Sequence, residues 1–151
     1  MKKLLFIAVS LMAIVACKQE APKTDNAAAM QRDSLNKVIA QRDNEINDML
    51  ATFNEIEEGF REINEAERRV SLAKQGEGSS RTQRIRENIQ FIQSTMRQNR
   101  ELISKLRQQL RESTFNGEQL KRTIENMTAQ LEEKDRQLQK LREELDAKDI
   151  H

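Results

Sequence analysis

The chain has 151 residues, 34% of them charged and 3% aromatic, with no Trp or Tyr, one Pro and four Gly. So few core-filling aromatics argue against an ordinary globular domain of this size and for long helices or coiled coils, with disorder as the alternative that periodicity must decide. The formal net charge is +1, or −1 without residues 1–16 (24 bases against 25 acids), so nothing pulls the whole chain toward nucleic acid, and one Cys and one His exclude an intramolecular disulfide and a histidine-built metal site.

The first element is an export signal over residues 1–16. Lys2 and Lys3 give a short positive start, and Leu4 to Ala16 is apolar except for Ser10. Lys18, Gln19 and Glu20 end the run before the roughly 20 apolar residues that a spanning helix needs. The run closes with Ile14-Val15-Ala16-Cys17. That ending resembles the lipobox of bacterial lipoproteins. The resemblance covers the first seventeen residues and implies cleavage between Ala16 and Cys17. It also implies a covalent diacylglycerol on the Cys17 thiol and an acyl chain on the new amino group. Two or three chains would hold the protein on a bilayer, because each buried CH₂ contributes ~0.8 kcal/mol. In the same family Asp after the Cys favours the inner membrane. This chain has Lys18, which points to an exported protein anchored in the cell envelope at the outer membrane, with its periplasmic or surface face left open.

Residues 17–26 form a polar tether containing Pro22, and Asp25 or Asn26 can cap the helix that follows. Over residues 27–75 a seven-residue repeat places Ile39, Ile46, Phe53 and Phe60 at position a and Leu35, Met49, Ile56, Ile63 and Val70 at position d. Arg42 and Glu67 are the polar intruders. Such regularity rejects disorder. Residues 76–80 form a Gly/Ser turn, with Gly76 suited to a left-handed helix end and Ser80 with Gln83 spaced as a capping box. The heptad slips by one residue across this turn.

The second repeat occupies residues 81–151. Position a runs through Ile89, Met96, Ile103, Leu110, Gly117, Ile124, Leu131, Leu138 and Leu145, and position d through Ile85, Ile92, Asn99, Leu106, Ser113, Leu120, Met127, Lys134, Leu141 and Lys148. The frame is never lost, so one long helix is expected, with a kink possible near 113–117, where Asn116-Gly117 disfavours helix. Residues 33–67 carry ten acids and three bases, and residues 81–111 eight bases and two acids. This charge pattern favours antiparallel pairing, with Asp43 and Glu57 near Arg86, Arg100 and Arg107 at e positions. The expected fold is all-α: a long antiparallel helical hairpin or coiled coil with a protruding C-terminal helix. The unpaired stripe of residues 121–150 would then join a second copy or another coiled-coil protein.

Chemistry is sparse. Asn99 at a seam position can fix register. The paired carboxylates Glu57-Glu58, Glu132-Glu133 and Glu143-Glu144 have no pocket around them and read as surface charge, with Glu132–Arg136 and Glu144–Lys148 at i,i+4 spacing. Phe91 and Phe115 read as packing residues, Phe115 lying off the seam. No phosphate loop, nucleophile elbow or metal-ligand spacing occurs, so no cofactor, catalytic residue, nucleic acid or small-molecule substrate is expected. The expected function is non-enzymatic: a lipid-anchored coiled-coil structural, scaffold or oligomerisation protein. The alternatives are a periplasmic holdase-type chaperone with hairpin arms and a non-covalent envelope tether, the covalent murein-linked type being disfavoured by the ending Asp149-Ile150-His151.

Overall fold

The computed structural model describes residues 23–76, 78 and 80–149. They form three helices: α1 Lys23–Gln75, α2 Ser80–Glu112 and α3 Glu118–Asp149. No strand occurs among the described residues. The all-α class and the antiparallel pairing of the first two helices are as the heptads require. α1 begins four residues earlier than its apolar repeat suggested. Asp25 therefore sits within the first turn, where a carboxylate meets the partial positive charge of free N–H groups.

The chain divides into two units between Gln41 and Arg42. In the first, the residues from Asp25 to Gln41 are helical and exposed, including Leu35, Val38 and Ile39 at 55%, 46% and 56%. The seam positions expected at Leu35 and Ile39 are thus open to solvent.

The second unit is a three-helix bundle. α1 and α2 are antiparallel, as Arg69 Nε donating to Asn88 Oδ1 (2.9 Å) and Asn99 Nδ2 donating to the Ile56 carbonyl (3.1 Å) show. α2 and α3 are also antiparallel, joined by Arg107 to Thr128 (2.7 Å) and Arg100 to Asp135 (3.0 Å). α1 and α3 run parallel, with Lys134 on Glu67 (2.9 Å) and Lys74 on Glu144 (3.7 Å). All three helices feed one core. Ile56 and Ile63, Ile92 and Leu106, and Ile124 and Leu131 are at most 2% exposed.

The C-terminal helix does not protrude. Ile124, Met127, Leu131 and Leu138 are buried in the same core as the hairpin. The chain breaks and reverses at residues 113–117, so the expected kink is a complete turn. Ser113 N donates to the Gln109 carbonyl (3.0 Å) and Ser113 Oγ to that of Leu110 (2.9 Å), closing α2. Lys121 N donates to the Gly117 carbonyl (2.8 Å), opening α3. A Cβ on Gly117 would stand 2.9 Å from Leu110 Cδ1 and from Phe115 Cε1, so a larger residue there would have to push the ends of those two side chains aside. The a/d pattern hid this reversal because its frame passes through the turn unchanged.

Two local expectations are corrected. The left-handed residue of the first turn is Gly78 (φ 110°), not Gly76. Gly76 N instead donates to the Ala73 carbonyl (3.2 Å) in the last turn of α1. Gln83 Nε2 donates forward to Glu87 (2.8 Å), and Ser80 is itself the first residue of α2. The predicted e-position contacts are also redirected: Arg100 and Arg107 of α2 face α3, whereas Asp43 and Glu57 of α1 are exposed.

Candidate functional site

Ala16 and Cys17, the expected cleavage and lipid-attachment residues, lie outside the described residues. The expected carboxylate pairs are at the surface. Glu58 binds Arg61, Glu143 accepts from Gln139 (3.3 Å), and Glu144 meets Lys74. Arg136 bonds Glu133 (2.7 Å), three residues back, rather than Glu132 at the favoured i,i+4 spacing. Hydrogen bonds from Arg136 and Gln137 hold the Glu133 carboxyl below the usual carboxylate range, and the Glu58 hydrogen bond raises Arg61. Both groups are fully exposed, where such pairs contribute little. Among the described residues no group of His, Cys, Asp or Glu could hold a metal ion, and no helix is long and apolar enough to cross a membrane.

Asn99 is 1% exposed and sits against Gly59. A Cβ added at Gly59 would fall 2.1 Å from Asn99 Oδ1 and 2.7 Å from Cγ. Gly59 is thus a socket for the carboxamide, which then donates its N–H to the Ile56 carbonyl on the same helix. The seam reading found Asn99 but missed its receptor, since Gly59 lies one position outside the a/d frame. Thr52, Gly59 and Ala66 occupy that flanking position at successive heptads, and all three are buried. Small side chains there leave room for α2. The signal was present in the sequence as a seven-residue recurrence of small residues.

The polar intruders also find a use. Glu67 and Lys134 interrupt two different seams, and the fold brings them together: Lys134 Nζ lies 2.9 and 3.0 Å from the Glu67 oxygens and 2.8 Å from Asn64 Oδ1. Phe91, at 41% exposure, lies beneath the Arg69 guanidinium, whose Cζ is 5.8 Å from the ring centroid.

Several shallow grooves run along the helices, and two of them adjoin residues already described. One, of about 730 Å³, runs between α1 and α2 over Gly59, Asn99 and Leu102, with Glu55, Glu58 and Glu62 on one wall and Glu101 and Lys105 on the other. The second, of about 470 Å³, is apolar and lies where α1 passes the 113–117 turn, between Met49, Leu50 and Phe53 on one side and Phe115 and Leu120 on the other. Leu50 and Phe115 are 52% and 46% exposed at its margins. Both grooves are surfaces suited to contact. Neither brings a nucleophile, a base and an orienting group together, as covalent catalysis requires.

No family model, curated protein or solved structure matches the chain.

Proposed function

We propose that this chain is an exported bacterial lipoprotein whose three-helix bundle is a non-catalytic interaction module held at a membrane of the cell envelope. The observation that carries this reading is the order of the first twenty residues: two lysines, an unbroken apolar run apart from Ser10, the Ile14-Val15-Ala16-Cys17 ending, and then Lys18-Gln19-Glu20. Acylation of Cys17 would let a chain, none of whose described helices is long and apolar enough to cross a membrane, remain on a bilayer. Support for a contact role comes from the surface, where the apolar groove beside Leu50 and Phe115 lies open to solvent.

The test is replacement of Cys17 by Ala in the native cell, followed by membrane fractionation and intact-mass measurement. The native protein should sediment with membranes and carry the added mass of the lipid on a chain starting at residue 17. The Cys17→Ala protein should leave the membrane fraction. An unmodified Cys17 still joined to residues 1–16 would end the proposal.

A further inference from the structure

We propose that the chain forms an exchanged dimer, in which residues 113–117 straighten, α2 and α3 run on as one helix, and each copy's α3 packs against α1 and α2 of a second copy. This does not depend on the lipid anchor.

The first support is the phase of the heptad. Leu110, Gly117 and Ile124 follow at intervals of seven, as do Leu106, Ser113 and Leu120. These positions are buried or half-buried on both sides of the turn. A chain reversal places no such demand on spacing, and the other turn of this molecule shows it, for there the frame slips by one residue between α1 and α2. A frame that survives the 113–117 turn is what a continuous helix needs in order to present one unbroken stripe.

The turn itself is compatible with helix. None of its residues is proline, so straightening meets the ordinary Asn and Gly penalties and the loss of the hydrogen bonds from Thr114 N and Oγ1 to Glu45 Oε2 (3.2 and 3.5 Å). The bent form has its own costs. It brings Gly117 close against Leu110 and Phe115, where a Cβ would press on the ends of both side chains. It also leaves Gln109 Oε1 buried without a hydrogen-bond partner where α2 begins to turn.

A second copy fits the vacated position. The Arg107–Thr128 and Arg100–Asp135 contacts are both centred between residues 117 and 118. Two straightened helices crossing antiparallel about a two-fold axis at that point recreate each contact twice, between copies instead of within one. Charge agrees with this pairing. Residues 81–111 carry eight bases and two acids, and residues 118–149 nine acids and seven bases, so the strongly basic half of one helix lies along a nearly balanced half of the other that carries a small acidic excess. Because α3 makes the same core contacts in either form, turn geometry and protein concentration set the balance.

The test uses residues 17–151 with Cys17→Ser, which keeps every described residue, plus Arg100→Cys and Asp135→Cys. The protein is refolded from urea at graded concentrations and treated with a short bis-maleimide. Exchange links the thiol introduced at position 100 of one copy to the thiol introduced at position 135 of another. The result is covalent dimers on denaturing gels whose share rises with concentration, and a dimer mass by light scattering. Adding Asn116→Ala and Gly117→Ala should favour the straight form and raise the association constant about tenfold or more. Inserting two glycines before Gly117, which breaks the frame, should return the protein to monomer. Crosslinks only within single chains at every concentration would overturn the proposal, even if light scattering reported a dimer. So would equal dimerisation of the glycine-insertion variant. If the alanine variant lost its helix signal by circular dichroism, the cysteine pair with the native turn would still decide.

Discussion

At the level of single residues, Gly59 and Asn99 show how a glycine inside a helix can be worth its conformational cost. Glycine within a helix ordinarily costs about 1 kcal/mol relative to alanine, so Gly59→Ala on an open surface would stabilise the protein. Here the added methyl would meet Asn99 Oδ1 at 2.1 Å. The carboxamide has little room to yield, since it is 1% exposed and its Nδ2 is bonded to the Ile56 carbonyl. Displacing it would leave buried polar atoms unpaired. We expect Gly59→Ala to destabilise the bundle by about 1–3 kcal/mol in urea unfolding, the usual range for overpacking. Gly59→Ala combined with Asn99→Ala should recover part of that loss, because the clash is gone. A single Gly59→Ala variant as stable as the parent would show that the socket is not a constraint.

At the level of elements, the three helices choose their neighbours by a small number of polar positions set in apolar stripes. Lys134 and Glu67 belong to seams of different helices and meet with 17% and 37% of their side chains exposed. Removing one partner strands the other in a half-buried setting, so Lys134→Met should cost about 1–3 kcal/mol. Replacing both, with Lys134→Met and Glu67→Leu, should restore the stability of the parent or exceed it, because apolar residues of similar volume often do as well as a buried ion pair. The measurement is a double-mutant cycle by urea unfolding, and additive losses would mean that the two side chains do not act as a pair. These positions also explain what the sequence disclosed. Spacing alone was enough to identify the first helix, the first turn, and the a/d residues that fill the core, from Met49 to Val70 and from Ile85 to Leu138, but it ran α2 and α3 together as one helix. It could not show that α3 folds back, because a/d periodicity reports which face of a helix is apolar and carries no information on which helix covers it. Glu67 and Lys134 were visible as exceptions, but each became meaningful only opposite the other. Gly59 was missed because a hydrophobic pattern does not mark a missing side chain, although the seven-residue recurrence of Thr52, Gly59 and Ala66 was there to be read.

For the whole chain, burial is distributed unevenly between its two units. From Met49 to Leu138 each helix contributes fully buried side chains to a shared core. Between Asp25 and Gln41 no residue is buried, although Leu35, Val38 and Ile39 share one helical face. A helical segment of this length without packing is marginal in water, because nucleation is costly and most helical stability in proteins comes from a buried face. Local opening therefore sets its amide exchange, whereas exchange in the bundle requires opening of the core. Hydrogen exchange followed by mass spectrometry on the lipid-free chain should show residues 25–41 exchanging orders of magnitude faster than residues 52–70, 89–106 and 124–138. Anchoring at Cys17 should not alter that ranking if the segment is an uncovered spacer, because the short polar stretch on its N-terminal side adds no apolar cover. Protection of residues 25–41 equal to that of the bundle would show that the stripe of Leu35, Val38 and Ile39 is covered. Replacing Val38 and Ile39 by Lys would then abolish the protection. In a chain that stays exposed there, the same two substitutions should change stability by no more than about 0.5 kcal/mol, the ordinary range for surface positions.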